Sequence, residues 1–244
     1  MSPSVTWATT RRILVQLRHD PRTLALMLVV PVLLMVLLRY VFNSVSAFDQ
    51  EAPKLLGLFP FLVMFVVTAI TMLRERRTET LERLMTMPMS KIDLLAGYSV
   101  AFGMVALLQV ILVALVSLTV LGLTVAGSVP MLLLIACVDA LLGMALGLCL
   151  SAFARTEFQA VQFLPAIVLP QALVCGLFAP RNQMAVALQW LSDVVPLTYA
   201  VDGLIRVCAS NGLNSTVLMD LAVVAGWTVV AIALGAATLR RQTA

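Results

Sequence analysis

Charge is what this sequence has least of. Only 11% of its 244 residues are Asp, Glu, Lys or Arg, against a 61% hydrophobic share. Soluble domains carry about 25% charged and about 45–50% apolar residues, and a chain of this size cannot hide so much apolar surface in one aqueous core. Composition therefore argues against a soluble enzyme, a disordered protein and a disulfide scaffold. Histidine is almost missing as well: His19 stands alone. It reads as a solvated residue in a basic stretch, so a His-based metal or haem site is not expected, nor a Ser-His-Asp arrangement within a span. The four cysteines, Cys137, Cys149, Cys175 and Cys208, form no C-x-x-C pair. They read as small hydrophobes. A concentrated basic face is also missing, and the net charge of +4 is not the footprint of a nucleic-acid binder.

Long apolar runs are present instead. A membrane helix needs about 20 mainly apolar residues. Six runs qualify: 24–42, 55–73, 95–123, 129–153, 158–178 and 217–239. All six are expected to be helical, because lipid offers no partner for free backbone groups. There is no internal repeat and no long linker, so residues 1–244 read as one transmembrane domain. The first run has a long basic segment before it and no small-residue cleavage site after it, unlike a signal peptide. Lysine and arginine set the orientation. Twelve of the 16 basic residues fall in the loops that share a side with both ends of the sequence; Arg39, Lys54, Arg181 and Arg206 fall on the other. Both termini are expected on the cytoplasmic side.

Three segments lie outside the spans. Residues 3–19 predict a helix with Trp7, Ile13, Leu14 and Leu17 on one side, together with Thr6 and Thr10, and Arg12 and Gln16 opposite. This is the pattern of an interfacial amphipathic helix on membrane lipid, ended by Asp20-Pro21. After the second span, Thr78 reads as an N-cap with Glu79 in the first turn, Glu79 and Arg83 as an i,i+4 pair, and Leu81, Leu84 and Met85 as a small apolar face closed by Pro88. Such a helix suits either docking on a cytoplasmic partner or a solvated, topology-setting connector. Residues 179–216 are too apolar for a loop in water. They predict two short helices, about 183–192 and 198–208, dipping into the membrane from the outer side.

Within the spans, Asp139 is the one central charge. A charge at mid-span costs at least about 2.5–3.5 kcal/mol on insertion scales. Asp139, Gly143, Gly147 and Ser151 recur every four residues, and Gly143–Gly147 is a GxxxG spacing that permits close helix packing. Asp139 is expected either to accept a hydrogen bond from Gln109 or carry a proton in a structural role, or to serve substrate passage. Phe59, Phe61, Met64, Phe65 and Phe163 are either a substrate-path lining or ordinary packing residues.

Several motifs, in order along the chain, resemble the type-2 ATP-binding-cassette exporter permeases. They are Thr80-Leu81-Glu82-Arg83-Leu84 with Pro88 and Gly97; Thr156-Glu157-Phe158-Gln159-Ala160 through Leu169-Pro170; Gly176-Leu177-Phe178-Ala179-Pro180; and Pro196-Leu197-Thr198-Tyr199-Ala200-Val201-Asp202. Glu79 stands where the family usually has glycine, and Ala185 where a proline usually precedes the outer helix. The resemblance implies an all-α permease with six transmembrane helices, an N-terminal amphipathic helix, a cytoplasmic coupling helix between spans two and three, and outer re-entrant helices before span six. It implies a bacterial inner-membrane exporter of drugs, antibiotics or lipid-like molecules. It also implies a dimer of two copies or two related permeases, and a cytoplasmic ATPase partner that binds ATP and Mg. No G-x-x-x-x-G-K-[ST] loop occurs in the sequence, so this chain is expected to bind no cofactor and to catalyse no hydrolysis itself. Glu79, Leu81, Glu82, Arg83 and Leu84 are the expected ATPase-coupling residues. Polysaccharide export by the same family is the nearer alternative. A secondary transporter, which would show inverted repeats and more intramembrane ionisable groups, and an intramembrane enzyme are the others.

Overall fold

The computed structural model describes residues 3–78, 91–210 and 214–238. Helices account for nearly all of them, and no strand occurs among the described residues. Six helices are long and apolar enough to cross a membrane. The chain opens with α1 (Pro3–His19), and Asp20 joins it directly to α2 (Pro21–Phe42). The Asp20 carboxylate accepts from the Thr23 amide at 3.2 Å and the Thr23 hydroxyl at 2.6 Å, and Pro21 fills the first turn. Asp20-Pro21 is thus a stop for one helix and an N-cap for the next. Those two bonds hold the Asp20 carboxyl below its ordinary value. Asn43, at φ 47°, ends α2, and the Ser44 hydroxyl caps α3 (Val45–Arg77).

Next come α4 (Lys91–Thr119) and α5 (Val129–Leu150). The fifth span is built from α6 (Glu157–Phe163), a π turn (Leu164–Val168) and α7 (Leu169–Val174). Pro165 and Pro170 fall in it, and Leu169 N–H reaches back five residues to Leu164 O. A proline cannot donate to the ladder and crowds the preceding turn, so the wider turn takes up the misfit. Two shorter helices, α8 (Val186–Val194) and α9 (Pro196–Ala209), precede α10 (Ser215–Thr238).

Boundaries shift where hydropathy cannot see them. The run 55–73 is the apolar middle of the 33-residue α3, whose first turns carry Asp49, Glu51 and Lys54. The run 95–123 overshoots: α4 stops at Thr119, and Gly122, at φ 76°, turns the chain back. The run 129–153 overshoots too, with Ser151 closing α5. The run 158–178 is interrupted at the π turn and ends at Cys175. The two outer helices start and end within three residues of the expected positions.

The centre of the bundle is the α3–α5 pair, which makes the most extensive packing in the molecule. It is close because of Gly143 and Gly147: a Cβ at 143 would collide with the Phe61 carbonyl, and one at 147 with the Phe65 carbonyl and the Thr68 hydroxyl. Across this seam Thr68 Oγ1 donates to Met144 O at 3.2 Å. Helix α10 packs on α5, α9 bridges α3, α5 and α10, and α2 leans on α3 and α4 through one buried face of Met27, Pro31 and Met35.

Candidate functional site

Three polar layers stand out along the bundle. The first is at the end shared by α1, the C-terminus of α3, and the start of α4 and α6. Helix α1 lies against α4, and Gly97 makes room for it: a Cβ there would sit 2.6 Å from Thr9. Thr10 Oγ1 donates to Gly97 O at 3.2 Å. The buried face of α1 is Thr9, Thr10, Ile13 and Leu17. Trp7, expected on that face, is 59% exposed. Arg12, expected opposite it, turns inward instead. Its Nη2 donates to Glu75 Oε2 at 3.2 Å and to the Tyr98 hydroxyl at 2.8 Å, with the guanidinium 5.9 Å from the Tyr98 ring centre. One arginine so ties α1 to both α3 and α4. Sequence reasoning missed this triad because the partners lie 63 and 86 residues away, beyond any local periodicity. Nearby, Arg74 pairs with Glu157 at 2.8 Å, joining α3 to α6.

Glu79, Leu81, Glu82, Arg83 and Leu84 lie outside the described residues. Their attachment points are described. Thr78, expected to open a helix, closes α3: its amide and hydroxyl donate to Arg74 O, both at 3.0 Å. Residues 79–90 follow α3 and precede α4 in the sequence, and the Arg12–Glu75–Tyr98 triad lies where those two helix ends meet α1.

The second layer is Asp139, fully buried near the middle of α5. Neither carboxyl oxygen has a hydrogen-bond partner among the described residues. The expected bond from Gln109 does not form: Gln109 Nε2 donates to Met27 O on α2 at 2.7 Å. Asp139 faces Gly57 on α3, where a Cβ would lie 3.2 Å from Oδ2 and 2.8 Å from Leu204 Cδ1 of α9. Of the other apolar candidates, Phe61, Met64 and Phe65 are fully buried in the α3 seam as packing residues, while Phe59 and Phe163 are half-buried.

The third layer closes the opposite end. Arg181 pairs with Asp193 and, at 3.0 Å, with Asp202; Arg206 pairs with Asp220 and lies 3.6 Å from Asp202. Lys54 pairs with Glu51 at 2.9 Å. Arg39 donates to Leu121 O at 3.2 Å and covers Phe48. Asp49 accepts from the Thr124 amide at 3.0 Å and from its hydroxyl. An open pocket of about 410 Å³ lies here, lined by Lys54, Gly176, Arg181, Asn182, Asp202 and Ile205 among others. No cluster of His, Cys, Asp or Glu fit to hold a metal occurs among the described residues.

A model of the family described as ABC-2 type transporter matches residues 4–208. Curated relatives agree. The probable multidrug ABC transporter permease YbhS of Escherichia coli is 26% identical over 169 residues, 68% of this chain and 45% of that protein. The related permease YbhR is 25% identical, covering 62% of this chain and 41% of its own. ABC transporter G family member 20 of Dictyostelium discoideum is 23% identical over 62% of this chain and 21% of its length. The chain thus spans less than half the length of these relatives. The six apolar helices and a membrane-transporter family together make this a multi-pass membrane protein.

Proposed function

The chain belongs to the ABC-2 type transporter family, and on that premise we propose that it is the membrane-spanning permease subunit of an ATP-driven exporter. Its cargo is an amphipathic drug, antibiotic or lipid-like molecule, moved out of the cytoplasm. A separate cytoplasmic ATPase subunit binds ATP and Mg; a second permease, identical or related, completes the dimer. The chain sits in a bacterial inner membrane, with the α1 end cytoplasmic, because most of the basic residues collect there.

The observation that carries this reading is the family match, which runs from α1 through α9. The tertiary structure adds a route for coupling. The 79–90 segment begins four residues after Glu75 and five after Arg74, so a push on it would be passed to α1, α4 and α6 through the Arg12–Glu75–Tyr98 and Arg74–Glu157 contacts. Glu79, Leu81, Glu82, Arg83 and Leu84 are the proposed ATPase contacts.

The experiment is purification of the tagged chain from its native membrane, followed by ATP-driven uptake of fluorescent amphipathic probes into inside-out vesicles. Co-elution of a subunit with a phosphate-binding loop, and uptake that stops on Glu82→Ala with Arg83→Ala, are the expected results. Uptake driven by a proton gradient without ATP would overturn the proposal in favour of a secondary transporter.

A further inference from the structure

Asp139 is an acid left unsatisfied among the described residues: both oxygens are buried and unpartnered, and no ion pair reaches it. Gln109, the polar side chain best placed by sequence to serve it, is committed to Met27. A buried acid inside a membrane marks a functional site by default, and no counterpart for it occurs among the described residues.

Two residues beside Asp139, Gly57 and Leu204, sit on helices that also line the open pocket at the Arg181 end. Gly57 is one helical turn below Lys54, Leu204 adjoins Ile205 and follows Asp202 by two positions, and Cys175 adjoins Gly176. The Leu204 side chain packs over Gly57 beside the Asp139 carboxyl, between α9 and α3. The absent side chain at Gly57 leaves Oδ2 facing open backbone rather than a neighbour.

We propose that Asp139 is the recognition point for a cationic group on the transported molecule, which leaves by the Arg181-end pocket when α9 moves Leu204 aside. The inference rests on the exporter reading and gives its cargo a charge: a lipophilic monovalent cation. Such a group satisfies the orphaned carboxylate in a dry site, where a neutral or anionic molecule of equal shape would leave it orphaned or oppose it.

The test uses two ions of the same shape and opposite charge, tetraphenylphosphonium and tetraphenylborate, with the full chain and its ATPase in nanodiscs. Saturable binding is measured by equilibrium dialysis against empty nanodiscs. Tetraphenylphosphonium is expected to bind at least tenfold more weakly to Asp139→Asn and to regain wild-type affinity in Asp139→Glu, while tetraphenylborate gains nothing from the acid. Equal phosphonium binding by wild type and Asp139→Asn, the result of a carboxyl that merely keeps a proton, would overturn the proposal. So would a parallel loss for both ions. Should Asp139→Asn fail to assemble, Leu204→Ala uncovers the carboxylate and is expected to tighten phosphonium binding several-fold; unchanged binding sinks the idea equally. An Asp139-dependent cation site in a complex that moves no probe with ATP refutes the exporter reading and leaves the site standing.

Discussion

The two ends of the bundle solve opposite electrostatic problems. At the Arg181 end, the described residues include four cations and five acids, and every cation there has a partner: Lys54 with Glu51, Arg181 with Asp193 and Asp202, Arg206 with Asp202 and Asp220, and Arg39 with a backbone carbonyl. At the α1 end, the described residues include nine cations and four acids. Only Arg12 and Arg74 are ion-paired; Arg11, Arg18, Arg22, Arg77 and Arg155 are exposed and in no ion pair among the described residues. One end is satisfied internally and needs nothing further. The other carries charge left over for something outside the chain, whether anionic lipid or an acidic partner surface. The few ion pairs it does make are those that fasten helices together.

Four perturbations would break or sharpen that contrast. The largest effect is expected from Arg12→Ala. It strands Glu75, whose side chain is 10% exposed, and frees the Tyr98 hydroxyl. Removing one member of a buried pair costs about 3 kcal/mol. Chemical denaturation in detergent should register it, and adding Glu75→Gln should recover part of the loss. A drop below about 1 kcal/mol would mean the triad is a surface pair like any other.

Asp220→Ala should cost less, about 1–2 kcal/mol. Arg206 is 38% exposed and keeps Asp202 within 3.6 Å, so water and a second carboxylate both compensate. An effect as large as that of Arg12→Ala would erase the difference between the ends.

Asp20→Ala removes the N-cap of α2 and should lose about 1 kcal/mol. Because the Thr23 bonds lower the folded carboxyl, the contribution is complete above the ordinary carboxylate value of about 3.9. It fades as pH falls through the lowered folded value. The stability difference between wild type and Asp20→Ala should therefore shrink on acidification; a constant gap across pH 2–7 would rule out the charged cap.

The smallest change in stability belongs to Arg18→Gln with Arg22→Gln, below about 0.5 kcal/mol, since neither side chain is paired. Association with anionic vesicles should nonetheless weaken by about 1 kcal/mol per arginine and vanish at high salt. Unchanged vesicle binding would show that the surplus charge is meant for protein.

Much of this molecule was legible from its residues, for a physical reason. Spans obey a one-dimensional rule, length times apolarity, so six of them emerge without tertiary information. The outer helices followed from the same logic, since Trp190, Leu191, Val194 and Val195 could not sit in a water-filled loop. Gly143 and Gly147 announced a close seam, and the seam is there against α3. The rest depended on which helix meets which. Nothing local marks Gln109 for Met27 rather than Asp139, or Arg12 for Glu75. Phe61, Met64 and Phe65 look alike on a helical wheel whether they line a passage or fill a core. The polar first turns of α3 escaped because a hydropathy window stops where charge begins, although a helix does not. The segment proposed to contact the ATPase, the clearest motif in the sequence, lies outside the described residues.

The π turn at 164–168 has a mechanical consequence. The spans α4, α5 and α10 are continuous α-helices with no interior proline, stiff along their axes, and α2 and α3 stay α-helical through Pro31, Pro53 and Pro60. The fifth is two short rods with a joint at Pro165. Bending at that joint is expected to let α6 follow Arg74 while α7 keeps its place, so that the fifth span would serve as the bundle's slack member.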